Sequence, residues 1–261
     1  MNRTTFLAAL YGLLLAPLAL AGDCREQLPG WLEQAHPGHA TGQLLQDERG
    51  GYRVDAGQSI CKVWPARPHL TLVAVPLIRD SLTDQGESDL EVLVLSNDEP
   101  AIVARQVQPH LLDWDAIFVS GFEFDTAPYR LREDELAFGI RIHRRNGSRL
   151  NPFYETTLSL YELENKHLRS VLNELIVVTS GGERDDECAG SFSHAEGVVV
   201  ITEKVGREGY RDLLLKQKRV SHRTADVAGE CKTVEENTER QQYRIEYDEQ
   251  RYLLPIEFSP A

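Results

Sequence analysis

The sequence contains none of the short motifs that mark common catalytic and nucleotide-binding sites. G-x-S-x-G, which presents the nucleophilic serine of many hydrolases, does not occur, and neither do H-E-x-x-H, a phosphate-binding P-loop or G-x-G-x-x-G. A pair of acids could serve a glycosidase, but with 41 Asp and Glu residues any two could be chosen. We therefore predict no catalytic residue and no cofactor, and an envelope hydrolase stays open as an alternative.

Cysteine is scarce, and no two cysteines are close in sequence. The four are Cys24, Cys61, Cys188 and Cys231, and their wide spacing argues against C-x-x-C zinc sites and redox pairs. An even number in an exported chain favours disulfides. Three pairings are open, of which the local one joins Cys24 to Cys61 and Cys188 to Cys231. Closing loops of this length would stabilise the fold by about 4 kcal/mol each in the chain-entropy account.

Two patterns could bind metal ions, and neither has the spacing that a metal site needs. His36 and His39 form H-x-x-H, but they flank a Pro-Gly pair rather than lying on a helix. The acids of residues 181–188 lack the D-x-D-x-D-G spacing of a calcium loop. We expect an exposed turn at the first, a solvated loop at the second, and no metal.

Basic residues are in the minority. The chain has 28 Lys and Arg against 41 Asp and Glu, which leaves a formal net charge of −13. This balance argues against nucleic acid and anionic membrane surfaces as partners, because both need a basic patch. Two charged stretches, GESDLE (86–91) and KTVEENTERQQ (232–242), are predicted to be solvated loops or strand edges.

The longest apolar run, residues 6–21, is too short to span a membrane. It is interrupted by Gly12 and Pro17, and spanning takes roughly 20 apolar residues. With Arg3 before it and A-L-A at its end, it predicts a cleaved signal peptide over residues 1–21. Asp23 separates Cys24 from the small residues, so we do not expect a lipid anchor. The mature protein is predicted to be periplasmic or secreted and not membrane-anchored.

Alternating apolar residues dominate the rest of the chain. One short helical segment follows the signal, with Leu28, Trp31 and Leu32 at helical spacing. About ten strands with short connections come next, and NDEP (97–100) is typical of a hairpin turn. Residues 168–178 fit a helix or a strand, and we favour a strand. We predict an all-β antiparallel meander, sandwich or propeller-like, as a single domain over 22–261.

Residues 137–164 are the best candidate for a binding site. They concentrate arginines in an acidic chain, next to an Asn-Gly turn and an aromatic ring, a combination suited to a carboxylate, sulfate or sugar. The alternative is that these arginines pair with the surplus acids of neighbouring strands. The predicted site consists of Arg141, Arg145, Arg149, Asn151 and Tyr154.

Several segments give the chain a resemblance to a group of uncharacterised exported bacterial proteins. They include CKVWPARPHLTLVAVPL, ELAFGIRIHRRNGSRLNPFYETTLSLYEL, LRSVLNELIV, GERDDECAGSF and YDEQRYLLP. The resemblance implies a β-rich exported domain with residues 137–161 as its central feature and Cys188 paired with Cys231. It implies no activity and no catalytic residue.

Taken together, these features predict a non-catalytic binding or accessory factor of the cell envelope. Its partner would be an envelope protein or a small anionic or sugar ligand. An alternative is an inhibitor or immunity-type protein, since an acidic domain would attract a basic toxin or wall hydrolase.

Overall fold

A computed structural model describes residues 24–79, 86–99 and 101–260 of the chain. The signal peptide predicted over residues 1–21 and the role given to Asp23 lie outside the described residues. The described part consists of one α-helix, two antiparallel sheets and three single-turn 3-10 helices, at His39–Thr41, Arg207–Gly209 and Ile256–Phe258. The all-β prediction is confirmed, and the strands form two sheets rather than propeller blades.

The helix, α1, spans Cys24–Ala35 and packs on the outer face of the first sheet. Leu28, Trp31, Leu32 and Ala35 are buried, a spacing of three, four and seven residues that places all four on one side of the helix. None of the helices in the described ranges is long and apolar enough to cross a membrane.

The first sheet is built around two strands that are covered on both faces. β4 and β5 are buried along nearly their whole length, and β4 is almost continuously apolar, as expected where both faces of a strand are buried. The strand order is β1-β2-β4-β5-β6, and β3 also pairs with β4. The strands are β1 Leu45–Asp47, β2 Gly50–Val54, β3 Ile60–Val63, β4 Leu70–Arg79, β5 Ser88–Ser96 and β6 Ala101–Gln108.

The second sheet is a seven-stranded meander in sequence order, with β7 and β13 at its edges. Residues 168–178 lie within β10, so the strand interpretation of this stretch is confirmed. The strands are β7 Ile117–Arg130, β8 Leu136–Asn146, β9 Phe153–Glu164, β10 His167–Arg184, β11 Gly190–Val205, β12 Arg211–Val227 and β13 Glu230–Ile245.

The buried apolar residues form three cores. The first lies between α1 and the outer face of the first sheet, and the second fills the space between the two sheets around Trp64, Phe138 and Tyr161. β10 pairs with β11 only through Val178–Arg184, so the first part of β10 and the last part of β11 separate from each other. The third core packs between the separated strands and is closed by the C-terminal residues Tyr252 and Phe258.

Two disulfides connect distant parts of this architecture, in the local pairing that was predicted. Cys24–Cys61 joins the start of α1 to β3. Cys188–Cys231 joins the β10–β11 turn to the start of β13. The second bond lies at the end of a long arm. This arm consists of the parts of β10–β13 that lie nearest to the bond. β13 is exposed along nearly its whole length there, as predicted for residues 232–242.

Two predictions about polar segments were wrong. GESDLE runs into the central strand β5, where Asp89 and Glu91 are fully buried. His36 is buried rather than exposed in a turn, with its Nε2 atom 2.7 Å from Glu91 Oε2. Both errors have one cause, because the acids of β5 find partners inside the fold: Asp89 contacts Arg79 and Arg49, and Glu91 contacts His36 and Arg105. The expected tight turn at Asn146-Gly147 is a longer loop over residues 147–152.

Candidate functional site

The five residues of the predicted site do not converge on one ligand position. Arg141 is occupied within the fold, since its Nε atom donates to Asp125 Oδ2 at 2.8 Å. Tyr129 also donates to that carboxylate. Burial would raise the pKa of Asp125, but the bonds from Ala127, Tyr129 and Arg141 outweigh it and the net pKa is lowered. For Arg141 the alternative, pairing with a neighbouring acid, is the correct interpretation.

The other four predicted residues are exposed. Arg145 and Tyr154 lie opposite each other on β8 and β9, and the Arg145 guanidinium stands 5.4 Å from the centre of the Phe118 ring. Arg149 and Asn151 belong to the loop between these strands, where the Asn151 backbone bonds to Ser148 and Asn146. These residues form an open surface rather than a pocket.

The opposite face of the same two strands lines a cavity. Arg144 and Glu155 are register partners on β8 and β9, one residue away from Arg145 and Tyr154. Because successive side chains of a strand point to opposite faces, they face the space between the two sheets. Arg144 donates to Glu174 on β10 at 2.6 Å and to the Leu111 carbonyl at 2.8 Å.

We call this cavity the Trp114 groove. It encloses about 820 Å³, a size typical of ligand sites. Trp114 has 49% of its surface exposed, whereas Trp31 and Trp64 are buried. The described side chains at its wall are Glu87, His110, Asp113, Trp114, Asp115, Ile117, Arg144, Phe153, Glu155, Glu174, Ile176, Ser259 and Pro260.

Trp114 is fixed in place although it is exposed. Its backbone forms a two-bond bridge with Gly86, with N···O distances of 3.0 and 3.1 Å. The ring lies so close to Gly86 that a Cβ atom there would stand 1.9 Å from Trp114 Cε2. This position of the ring therefore requires glycine at position 86.

Acidic groups predominate around Trp114. Five carboxylates line the groove against one guanidinium, that of Arg144. Burial raises the pKa of Glu155, and the nearby charge of Glu174 adds to the rise, while Arg144 opposes it. Glu174 has φ +49°, a left-handed conformation that is strained for a residue with a side chain, and it lies within the irregularity of β10 between Leu172 and Leu175. Such strain is common at functional sites.

An apolar pocket adjoins the groove and shares Trp114 with it. It encloses about 370 Å³ and is open at its mouth. Ile78 and Phe118 belong to its wall, together with Leu112, Val119 and Phe122 from the second sheet and the loop before it. An apolar side chain of a bound molecule could therefore enter here while its polar parts remain in the groove.

A network of buried charges anchors the loop that carries Trp114. Asp89 on β5 accepts bonds from Arg79, from Arg49 and, at 2.9 Å, from the backbone N–H of His110. His110 Nε2 accepts a hydrogen bond from Arg49 at 3.1 Å, and its Nδ1 atom lies 2.9 Å from Asp113. These two contacts assign the ring proton to Nδ1. Asp113 then accepts the backbone N–H of Ser88.

The contacts of His110 show whether the groove holds a nucleophile paired with this histidine. Both ring nitrogens of His110 are engaged, and no serine, threonine or cysteine of the described residues bonds to that ring. A nucleophilic hydrolase needs such a contact. Within the same ranges, no group of three or more His, Cys, Asp or Glu side chains is placed to hold a metal ion.

The predicted residues and the groove residues lie on the same two strands but on opposite faces of them. Arg144 and Glu155 stand beside the predicted residues, and the alternation of β8 would have assigned Arg144 to the face of Ile142. Trp114 was not singled out, because it follows the short buried segment Leu111-Leu112 outside any strand. Glu174 carries no sequence signal, since its strained conformation arises from the irregular pairing of β10.

Disulfides such as the two found here are typical of oxidising compartments. No protein-family model, no curated protein and no solved structure matches the chain.

Proposed function

We propose that the protein is an exported, non-catalytic binding factor that holds a basic segment of a partner in the Trp114 groove. The observation that carries the proposal is an exposed tryptophan that packs against Gly86 among acidic side chains in a large cavity. The two disulfides support export, and a place in the periplasm or outside the cell follows from it.

Three properties of the groove support a basic segment as the ligand. Its carboxylates attract cations, and the net charge of the chain steers a basic partner toward it. The face of the Trp114 ring is the preferred partner of a Lys or Arg cation. The neighbouring apolar pocket accepts one large apolar side chain of the same segment. A factor that neutralises a basic enzyme or toxin is a special case of this activity.

The test uses a synthetic peptide of alternating Lys and Phe, titrated into the full mature protein by calorimetry. We expect binding that weakens with added salt, because the attraction is screened. W114A should weaken it by about tenfold or more, which corresponds to roughly 1.4 kcal/mol. L253A is the matched control, because Leu253 is 53% exposed and is not among the residues lining the groove.

Two outcomes would contradict the proposal. The first is equal affinity for a peptide of alternating Glu and Phe, which would show that charge plays no part. The second is unchanged affinity in W114A, which would place the peptide elsewhere. Quenching of Trp114 fluorescence offers an independent check, since caesium should quench it more than iodide if the groove is acidic.

A further inference from the structure

Four cations lie on one face of the second sheet, and none of them has an ion-pair partner among the described residues. They are Arg145, Lys216, Lys218 and Arg240. The register determines their common face, because Lys218 pairs directly with Arg240 and Lys216 lies two residues from Lys218 on β12. The same face continues through Val178 and Ser180 to Arg145 on β8. We call it the cationic face.

The cationic face is separate from the Trp114 groove. Arg145 points away from the groove, whereas its neighbour Arg144 points into it. Lys216, Lys218 and Arg240 line a concavity of about 430 Å³ on the arm, together with Glu196 and Val198. This concavity therefore has three cations against one carboxylate, in a chain with a net charge of −13.

Many cations of this molecule contact carboxylates. Arg79, Arg105, Arg141 and Arg144 all contact carboxylates, as do the exposed Lys204 and Arg223. With acids in surplus, a cation on an open sheet face would be expected to have an acid as its cross-strand neighbour. Lys218 has Glu196 opposite it on β11, but on its other side it stands opposite Arg240 on β13, a like-charge pair that is unfavourable unless an anion lies between them.

We propose that the cationic face binds an acidic polysaccharide, one that carries carboxylate or sulfate groups. Charge complementarity requires an anion. Lys216, Lys218 and Arg240 lie on the adjacent strands β12 and β13, about 5 Å apart, and Arg145 lies four strands away on β8, an extended distribution of positive charge that suits a polymer with repeated charges. The surface is open, and the polar side chains of Gln242 and Thr238 lie on it beside Val198 and Val220. The half-exposed ring of Tyr154 adds a flat surface on the same face.

The test measures binding of the mature protein to immobilised heparin, a defined sulfated polysaccharide, at increasing salt. We expect retention that falls as salt rises, and a loss of at least tenfold in affinity for K216E/K218E. K166E/R207E is the matched control, because it changes the net charge equally at exposed positions outside the face. K216R/K218R should retain binding, and circular dichroism confirms that each variant is folded.

Several results would overturn the proposal. Absence of retention at low salt would do so, as would equal losses in K216E/K218E and K166E/R207E. Equal binding to polyglutamate would show that any polyanion suffices, and binding to anionic phospholipid vesicles without binding to heparin would indicate a lipid surface instead. Binding of the Lys-Phe peptide should be unchanged in K216E/K218E, so this proposal and the one for the Trp114 groove can fail separately.

Discussion

Replacing Asp89 by Asn should destabilise the fold and loosen the Trp114 loop together. Asp89 is fully buried, and the Arg79 side chain bound to it is 6% exposed. Removing one partner of such a pair costs about 3–5 kcal/mol, because the other charge remains buried. We expect a loss of about 3 kcal/mol for D89N, at the lower end, since Asp47 still contacts Arg79.

The pH dependence follows from the direction of two pKa shifts. The bond from Arg79 lowers the pKa of Asp47. Burial would raise the pKa of Asp89, but the bonds from Arg49, His110 and Arg79 outweigh it and the net pKa is lowered. A lowered carboxyl pKa stabilises the fold above the unfolded value of about 4, and this stabilisation is lost as the pH falls through the folded value. The acid-induced loss should therefore be smaller in D89N than in the natural protein.

A double-mutant cycle measured by urea denaturation separates the ion pair from other effects. R79M should cost about as much as D89L, and R79M/D89L should cost less than their sum by about 2 kcal/mol or more, because no unpaired charge remains. In the same D89N samples the Lys-Phe peptide should bind more weakly, since Asp89 positions His110. Additive costs, or a loss under about 1 kcal/mol in D89N, would refute this account of the network.

Two further predictions concern Gly86 and the disulfides. G86A should reduce the affinity for the Lys-Phe peptide by about tenfold, because a Cβ atom displaces the Trp114 ring, and should lower the free energy of unfolding in urea by about 1–3 kcal/mol. G147A is the control, because a Cβ atom at Gly147 would meet no atom within 4 Å. Equal effects of the two substitutions would contradict the reasoning. Serine replacement of both cysteines in Cys188–Cys231 should raise hydrogen exchange mainly in the exposed arm, whereas loss of Cys24–Cys61 should lower the stability of the body because α1 packs on a core there. Uniform exchange changes in both variants would argue against a separate arm.

The fold class could be predicted from the sequence because strand periodicity is a local property. Phe138, Ile140 and Ile142 alternate with Arg141 and His143, and the structure buries the first three between the sheets. The cysteines form the local pairing, one of the three that the sequence left open, and the resemblance implied the Cys188–Cys231 bond. Three short strands, β1–β3, were too brief to register as separate elements, which accounts for most of the difference between about ten strands and thirteen.

The interior charges could not be predicted, because they depend on partners far away in sequence. Asp89 and Arg49 are 40 residues apart, and Glu91 and His36 are 55 residues apart. A prediction based on neighbouring residues alone therefore expects the polar residues around β5 to be exposed to solvent. The same limit explains the choice of site, since Arg144 is joined to Glu174 only after β10 folds beside β9.

The net charge of the chain conceals two surfaces of opposite sign on one sheet. Arg144 and Glu155 point toward an acidic groove, and Arg145 and Tyr154 point toward a face with unpaired cations. Composition excluded polyanions as partners because it averages the two surfaces, whereas binding depends on each surface separately. Since the surfaces lie on opposite faces of β8 and β9, a basic segment in the groove does not neutralise the cationic face. The geometry therefore permits one molecule to hold a basic partner and an acidic polymer at the same time.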